Sequence, residues 1–389
     1  MNALQAFDLP TSRDENWKYA NLKPLAKVRF EAAAQAADIA LDALPAPIDG
    51  YARYVFVDGH LASALSSTAT PSGVTVEFPK LSASQSIVPA AKSRDLRFAA
   101  LNESHATQGV RIATAAGAER TGCIELVFVA TADAQTASSY PHIEVATGER
   151  GRLILIERHV SLGSDNNFID SAVRMEIASG ARVEHYRLQE AGPKSTWIDT
   201  LSAHVARDAA YQIYLLNLGA LSARSTMSIE LAGERAELAL HCASLADRQQ
   251  VHDAFAQVEH AAPATHSRQT FRGIAAGRAR AAFNSKVVVR DRARGADSYQ
   301  SLRGLLAGPD AEIDVRPQLE IHTDEVRCAH GATAGKLDDA MLFYLLSRGL
   351  EPQTAQRLLK WAFLEDVVAK IAVPQLRAQI EQGLAGQFL

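Results

Sequence analysis

Between Gly109 and about Val326 the chain is a series of short runs in which apolar and polar residues alternate, at 124–129, 153–157, 172–177, 182–187 and 236–240, with no convincing long helix among them. Small-residue corners recur at Ser179-Gly180-Ala181, Arg207-Asp208-Ala209 and Gly233-Glu234-Arg235-Ala236. Successive alanines stand 28 residues apart (209 minus 181) and then 27 (236 minus 209). A fixed step of that size is the signature of stacked rungs. Rungs need small residues where the backbone turns, and strands whose inward side chains pile on those of the next rung. A right-handed parallel β-helix meets both demands. An antiparallel sandwich also gives short strands and Gly-rich turns, so periodicity alone leaves both open.

The flanks read differently. The first 50 residues form an irregular, partly helical lead, with a helix start at Thr11-Ser12-Arg13-Asp14-Glu15 and an alanine-rich, helix-forming stretch over 31–44, ended by Pro45 and Pro47. Strand-like runs at 54–57 and 74–78 and a helix over 95–105 follow. Beyond Gly335, Asp338 is placed to cap a helix over 339–348 that Gly349 stops, and Pro352 opens a second helix running to 372. The division predicted is 1–108 mixed and partly helical, 109–335 β-helix core, and 336–389 helical. On the last helix Leu358, Leu359, Ala362, Phe363, Val367 and Ile371 are apolar, and so are Trp361, Leu364 and Val368, which is wider than one packing stripe. The surplus either caps the end of the β region or forms a docking surface.

A formal charge of -4 from 40 basic and 44 acidic side chains supplies no field for nucleic acid or anionic lipid. Three widely separated cysteines, Cys123, Cys242 and Cys328, argue against a disulfide framework and for a reducing compartment, the cytoplasm. The first ten residues carry no export signal, and no run reaches the roughly 18 apolar residues of a membrane span.

Nucleotide and hydrolase motifs are missing. The run from Gly331 to Leu337 imitates a phosphate loop but has three residues between its glycines and Leu337 where a hydroxyl should stand, so any ATP hydrolysis has to come from a partner. Cys328-Ala329-His330 remains. On an extended strand residues two apart share a side, which puts a thiol beside an imidazole, a pair suited to borderline metals or the iron of a cluster. Two ligands do not complete a tetrahedral site, so others must come from elsewhere in the fold or from another chain. The plain alternative is a buried thiol and a structural imidazole. His241, His252, His260 and His266 read as structural or exposed, and Cys123 and Cys242 as core.

The segment from Pro317 to Ile321, then Asp324 through Cys328-Ala329-His330 to Gly335, resembles the signature of the SufB/SufD family of iron–sulfur cluster assembly proteins. Phe343-Tyr344-Leu345, Ser347-Arg348-Gly349-Leu350, the upstream run from Ser301 to Ala307, and Glu15-Asn16-Trp17-Lys18-Tyr19 extend the similarity over nearly the whole chain. The length and the short lead before that Trp-Lys-Tyr block are similar to the smaller SufD branch, without the helical extension many members carry ahead of it.

The resemblance implies a right-handed parallel β-helix between helical ends, in a non-ATPase subunit with no catalytic activity of its own. It implies pairing of the last strands with a SufB-like scaffold, and docking of the C-terminal helices, through Phe343, Tyr344, Arg348, Leu358, Leu359, Trp361 and Phe363, on a SufC-like ABC-type ATPase. His330 then faces a cysteine of the scaffold, with Cys328 as second candidate iron or sulfur ligand. Cargo is a transient cluster or iron at that interface, with no permanently bound cofactor and with flavin in the complex left open. Without its scaffold the chain is expected to form a homodimer. Two other readings are a purely architectural subunit that lends no ligand and a carbohydrate-active β-helix enzyme; the missing export segment and the lack of clustered acidic residues weigh against the second.

Overall fold

The computed structural model describes residues 8–81, 94–117 and 121–388. Two strands per turn build a parallel β-solenoid of about eight turns. The chain runs through β1 (Ala52–Val57), β2 (His60–Leu61), β3 (Val74–Glu77), α1 (Arg97–His105), β4 (Val110–Thr114), β5 (Gly122–Ala130), β6 (His142–Ala146), β7 (Arg152–Ser161), β8 (Phe168–Ile177), β9 (Arg182–Glu190) and β10 (Thr196–Val205). It continues through β11 (Ala210–Asn217), β12 (Ser222–Leu231), β13 (Glu237–Ala246), β14 (Val251–His260), β15 (His266–Ala275), β16 (Arg280–Val289), β17 (Ala296–Leu306), β18 (Glu312–Ile321) and β19 (Val326–Gly335). Helices α2 (Asp339–Ser347), α3 (Pro352–Val368) and α4 (Pro374–Phe388) end it.

From β5 onward odd-numbered strands stack in one ten-stranded sheet and even-numbered strands in a facing nine-stranded sheet. The parallel solenoid is the architecture expected, and the sandwich is set aside. The strands are longer than the runs that announced them, because positions facing covered outer surfaces are apolar as well and break the alternation.

The corners explain the period. Arg150, Gly180, Asp208, Arg235, Ala264 and Gly295, each between an even strand and the next odd one, have φ from 54° to 72°. Their spacings are 30, 28, 27, 29 and 31 residues. Four of the six are not glycine, and each such left-handed residue carries roughly 1–2 kcal/mol of strain. A ladder offsets it: the Gly180 N–H donates to Arg207 O (2.8 Å), Asp208 to Glu234 O (3.0 Å), Arg235 to Pro263 O (3.1 Å) and Ala264 to Arg294 O (2.8 Å). Gly233 serves a different need, since a Cβ there would lie 1.9 Å from the Arg207 nitrogen.

The first part of the lead lies along the outer face of the nine-stranded sheet, and Ala36, Ile39 and Leu44 farther on pack against Val55, Val57, Val127 and Val129 of the ten-stranded one. Trp17 is fully buried, its Nε1 donates to Asp95 Oδ1 (2.9 Å), and the Arg224 guanidinium stands 4.2 Å from its ring centroid. The helix start at Thr11 to Glu15 becomes one 3-10 turn, Glu15–Trp17. The alanine-rich stretch 31–44 is not a helix apart from a 3-10 turn at Leu41–Ala43. Its backbone is bonded instead to the 134–138 loop, Ala33 N to Ser138 O and Ser138 N to Glu31 O, and these tertiary bonds override alanine's propensity.

The C-terminal helices cover the outer face of the ten-stranded sheet. Leu364, Val367 and Val368 of α3 and Leu376, Ile380 and Leu384 of α4 pack on Tyr186, Leu188, Tyr214, Leu216 and Ile274. They therefore do not cap the end of the solenoid. Helix α3 stops at Val368, short of the expected 372, and Pro374 begins a further helix for which the sequence reading placed no element. Among the described residues no helix is long and apolar enough to cross a membrane.

His241, His252 and His260 are buried, and burial, first among the causes, holds each imidazole down to about 4. Unfolded, the same groups titrate near 6.5, so between those values the unfolded chain binds more protons and stability falls as pH falls. From pH 7 to pH 5 the loss is about 2 kcal/mol per histidine, on the order of 5 kcal/mol for the three. Denaturant unfolding at both pH values checks this; equal midpoints would refute it.

Candidate functional site

The two ends of the solenoid differ. At the first end short antiparallel strands close the sheets, β2 on β1 and β3 on β4. At the other end, among the described residues, β18 pairs only with β16 and β19 only with β17, leaving two ten-residue edges with unpaired backbone groups. Long bare edges are rare in monomers because they recruit strands from other chains. Pro317 sits in one of them, where a missing N–H costs no ladder bond within the chain.

Cys328 and His330 lie on β19, in register with Ser298 and Gln300 of β17. Ser298 and Gln300 are buried inside the solenoid, so the thiol and the imidazole belong to the same inward columns and share a side, as the two-residue spacing required. Only the absence of a following rung within the chain leaves Cys328 half-buried and His330 exposed. Burial pushes the Cys328 thiol up, opposed by the Ser298 backbone. Among the described residues no third His, Cys, Asp or Glu joins the pair in a metal-holding group.

On the outer side of β18, Glu320 is held down to about 2 by Lys286 and His322, with Lys286 Nζ 2.6 Å and His322 Nε2 2.9 Å from its carboxylate. The sequence reading had not singled out this cluster.

The predicted docking residues divide. Phe343 (72% exposed), Tyr344 (56%) and Leu358 (45%) face outward with Met341, and Arg348 lies over the Tyr344 ring at 5.2 Å. Leu359 is half-buried, and Trp361 and Phe363 pack partly against the sheet-facing core. The broad apolar surface of α3 thus serves sheet packing on one side and leaves a patch with α2 on the other.

A buried charge cluster inside the solenoid escaped the sequence reading. Arg187 donates to Glu157 Oε1 (2.7 Å) and Oε2 (2.9 Å) and to Asp199 Oδ1 (2.6 Å) and Oδ2 (2.7 Å). His159 (2.5 Å) and His185 (3.0 Å) also bond Glu157. Burial pushes the Glu157 carboxyl up, and Arg187 and the two histidines overcome this and hold it well below its usual range. Every member is inaccessible, so the cluster orders the core and offers no open site. Its trace in the sequence is Glu157, His159, His185 and Arg187 at alternate positions of β7 and β9.

Residues 128–363 match the family model described as SUF system FeS cluster assembly, SufBD core domain. The chain is 31% identical over 377 residues, 96% of its length and 88% of the relative's, to the iron–sulfur cluster assembly protein SufD of Escherichia coli. It is 26% identical to a SufBD family iron–sulfur cluster assembly protein of Synechocystis, over 97% of this chain and 87% of that one. A Mycobacterium tuberculosis protein of the same description is 27% identical over 64% of each chain.

Proposed function

The chain belongs to the SufBD family of iron–sulfur cluster assembly proteins, and from that premise we propose that it is the SufD-type, non-ATPase subunit of a cytoplasmic cluster-assembly complex. The bare final rung carries the reading: two long edges, with Cys328 and His330 on the inner face where a partner rung would lie. A SufB-like solenoid presenting a similar edge would continue both sheets, bury the backbone groups and bring its own cysteine opposite His330. Iron or a nascent cluster is then cargo held between subunits, released when they shift apart. Without that partner, a second copy offers the same edge and gives a homodimer.

The patch of Phe343, Tyr344, Leu358 and Arg348 is the proposed seat of a SufC-like ATPase, whose hydrolysis supplies the shift. Replacing both aromatics, Phe343→Glu with Tyr344→Glu, is expected to abolish recovery of an ABC-type ATPase with the tagged chain while keeping the scaffold subunit. Undiminished recovery of the ATPase removes the patch from the interface.

His330→Ala in the assembled complex is expected to cut cluster formation at least about tenfold, as loss of a metal ligand does. Wild-type rates from the His330→Ala, Cys328→Ser double variant would leave only the architectural role.

A further inference from the structure

Gln300 lies one strand below His330 at the same register position, about 4.8 Å away along the stack. It is fully buried. Its amide is clamped from the opposite sheet, with Nε2 donating to Ser285 Oγ (2.7 Å) and to Ser285 O (3.3 Å). A backbone carbonyl can only accept, so the amide nitrogen must face Ser285, and the carbonyl oxygen is the end left over. Ser285 is itself fixed, its hydroxyl donating to Gln269 Oε1 (2.5 Å).

Gln300 Oε1 is buried and has no hydrogen-bond partner. A buried acceptor left empty costs about 1–3 kcal/mol, so the position favours any donor brought within reach. Two side chains stack on Gln300. Below is Gln269, whose Nε2 also lacks a partner, and above is His330, which makes no hydrogen bond to the described residues. A carbonyl oxygen has two lone pairs and can serve both.

We infer that Gln300 is a positioning residue for His330: its clamped carbonyl accepts the inward N–H of the imidazole and fixes the ring in one neutral tautomer, with the bare nitrogen turned toward the joining subunit. The importance of this bond rests on the reading of His330 as an iron-binding imidazole. Its formation, which takes a turn of the imidazole toward the empty oxygen, does not. Metal-binding histidines commonly have their second nitrogen tied in this way, which sets ring orientation and basicity. An imidazole on the edge strand, held by an amide from the rung beneath, would be preorganised before the partner arrives.

The test is nitrogen-detected NMR of the full chain with labelled histidine, the His330 resonances identified by their loss in His330→Asn. The wild type is expected to show one dominant tautomer. Gln300→Leu should give the averaged pattern of a free imidazole. An averaged imidazole in the wild type, or an identical one in wild type and Gln300→Leu, overturns the inference. Should Gln300→Leu fail to fold, the wild-type spectrum still decides. These spectra are read without cluster assembly, so full activity of His330→Ala would remove the proposed ligand role while leaving the hydrogen bond to stand or fall on its own.

Discussion

Replacing Arg187 with alanine is expected to destabilise the chain by about 3–5 kcal/mol, the cost of removing one partner from a buried ion pair. The side chain makes four hydrogen bonds to two carboxylates in the closed middle of the solenoid. Without it Glu157 keeps only its histidines, and Asp199 only the Ser225 hydroxyl, which donates at 2.8 Å. Burial then pushes the Glu157 carboxyl up. This gives the variant a second signature. In the wild type Glu157 titrates below its unfolded value, so its contribution is present above about pH 4.5 and is lost as pH falls through the depressed folded value. In Arg187→Ala the folded Glu157 carboxyl binds protons more tightly than the unfolded one, so its penalty grows as pH rises above the unfolded value. Denaturant unfolding at pH 5 and pH 8 should therefore show the gap between variant and wild type widening with pH. A gap under about 1 kcal/mol at both pH values would mean the cluster does not hold the core together.

Ending the chain after Gly335 should yield aggregated protein. The cut removes α2, α3 and α4 and uncovers Tyr186, Leu188, Tyr214, Leu216, Leu245 and Ile274 as one apolar surface. It also breaks specific ties: the Tyr214 hydroxyl donates to Lys370 O (2.7 Å), Arg272 Nε to Asp366 Oδ2 (2.7 Å) and Arg158 Nη1 to Gln379 Oε1 (2.7 Å). Light scattering and circular dichroism of the purified fragment check this. A monodisperse, β-rich fragment would show that the helices are an independent appendage. The expected aggregation also means that partner loss on truncation cannot identify a docking surface, which is why the test of the ATPase seat uses outward-facing aromatics.

The rungs were legible because a corner is a local demand repeated by each turn. Asp208 and Arg235 mark it as well as Gly180 does, and the alanine after each keeps the step visible. The shared side of Cys328 and His330 was legible because strand alternation needs no tertiary knowledge. The alanine-rich lead was misread because its conformation is decided by bonds to a loop a hundred residues away. Helix α4 was hidden by continuity of composition, although Pro374-Gln375 repeats the Pro352-Gln353 start of α3. The interior charges were invisible for another reason: nothing local says that Glu157 and Asp199 meet one arginine across facing sheets.

The unlike ends set a number. A rod whose first end finishes in short antiparallel strands of two and four residues, and whose last end carries two ten-residue edges, has one end suited to edge-to-edge growth. Such a unit pairs once and terminates. Joining two of them, alike or unlike, consumes the free edges and leaves a closed pair, so the geometry that makes a shared interface possible also forbids fibres.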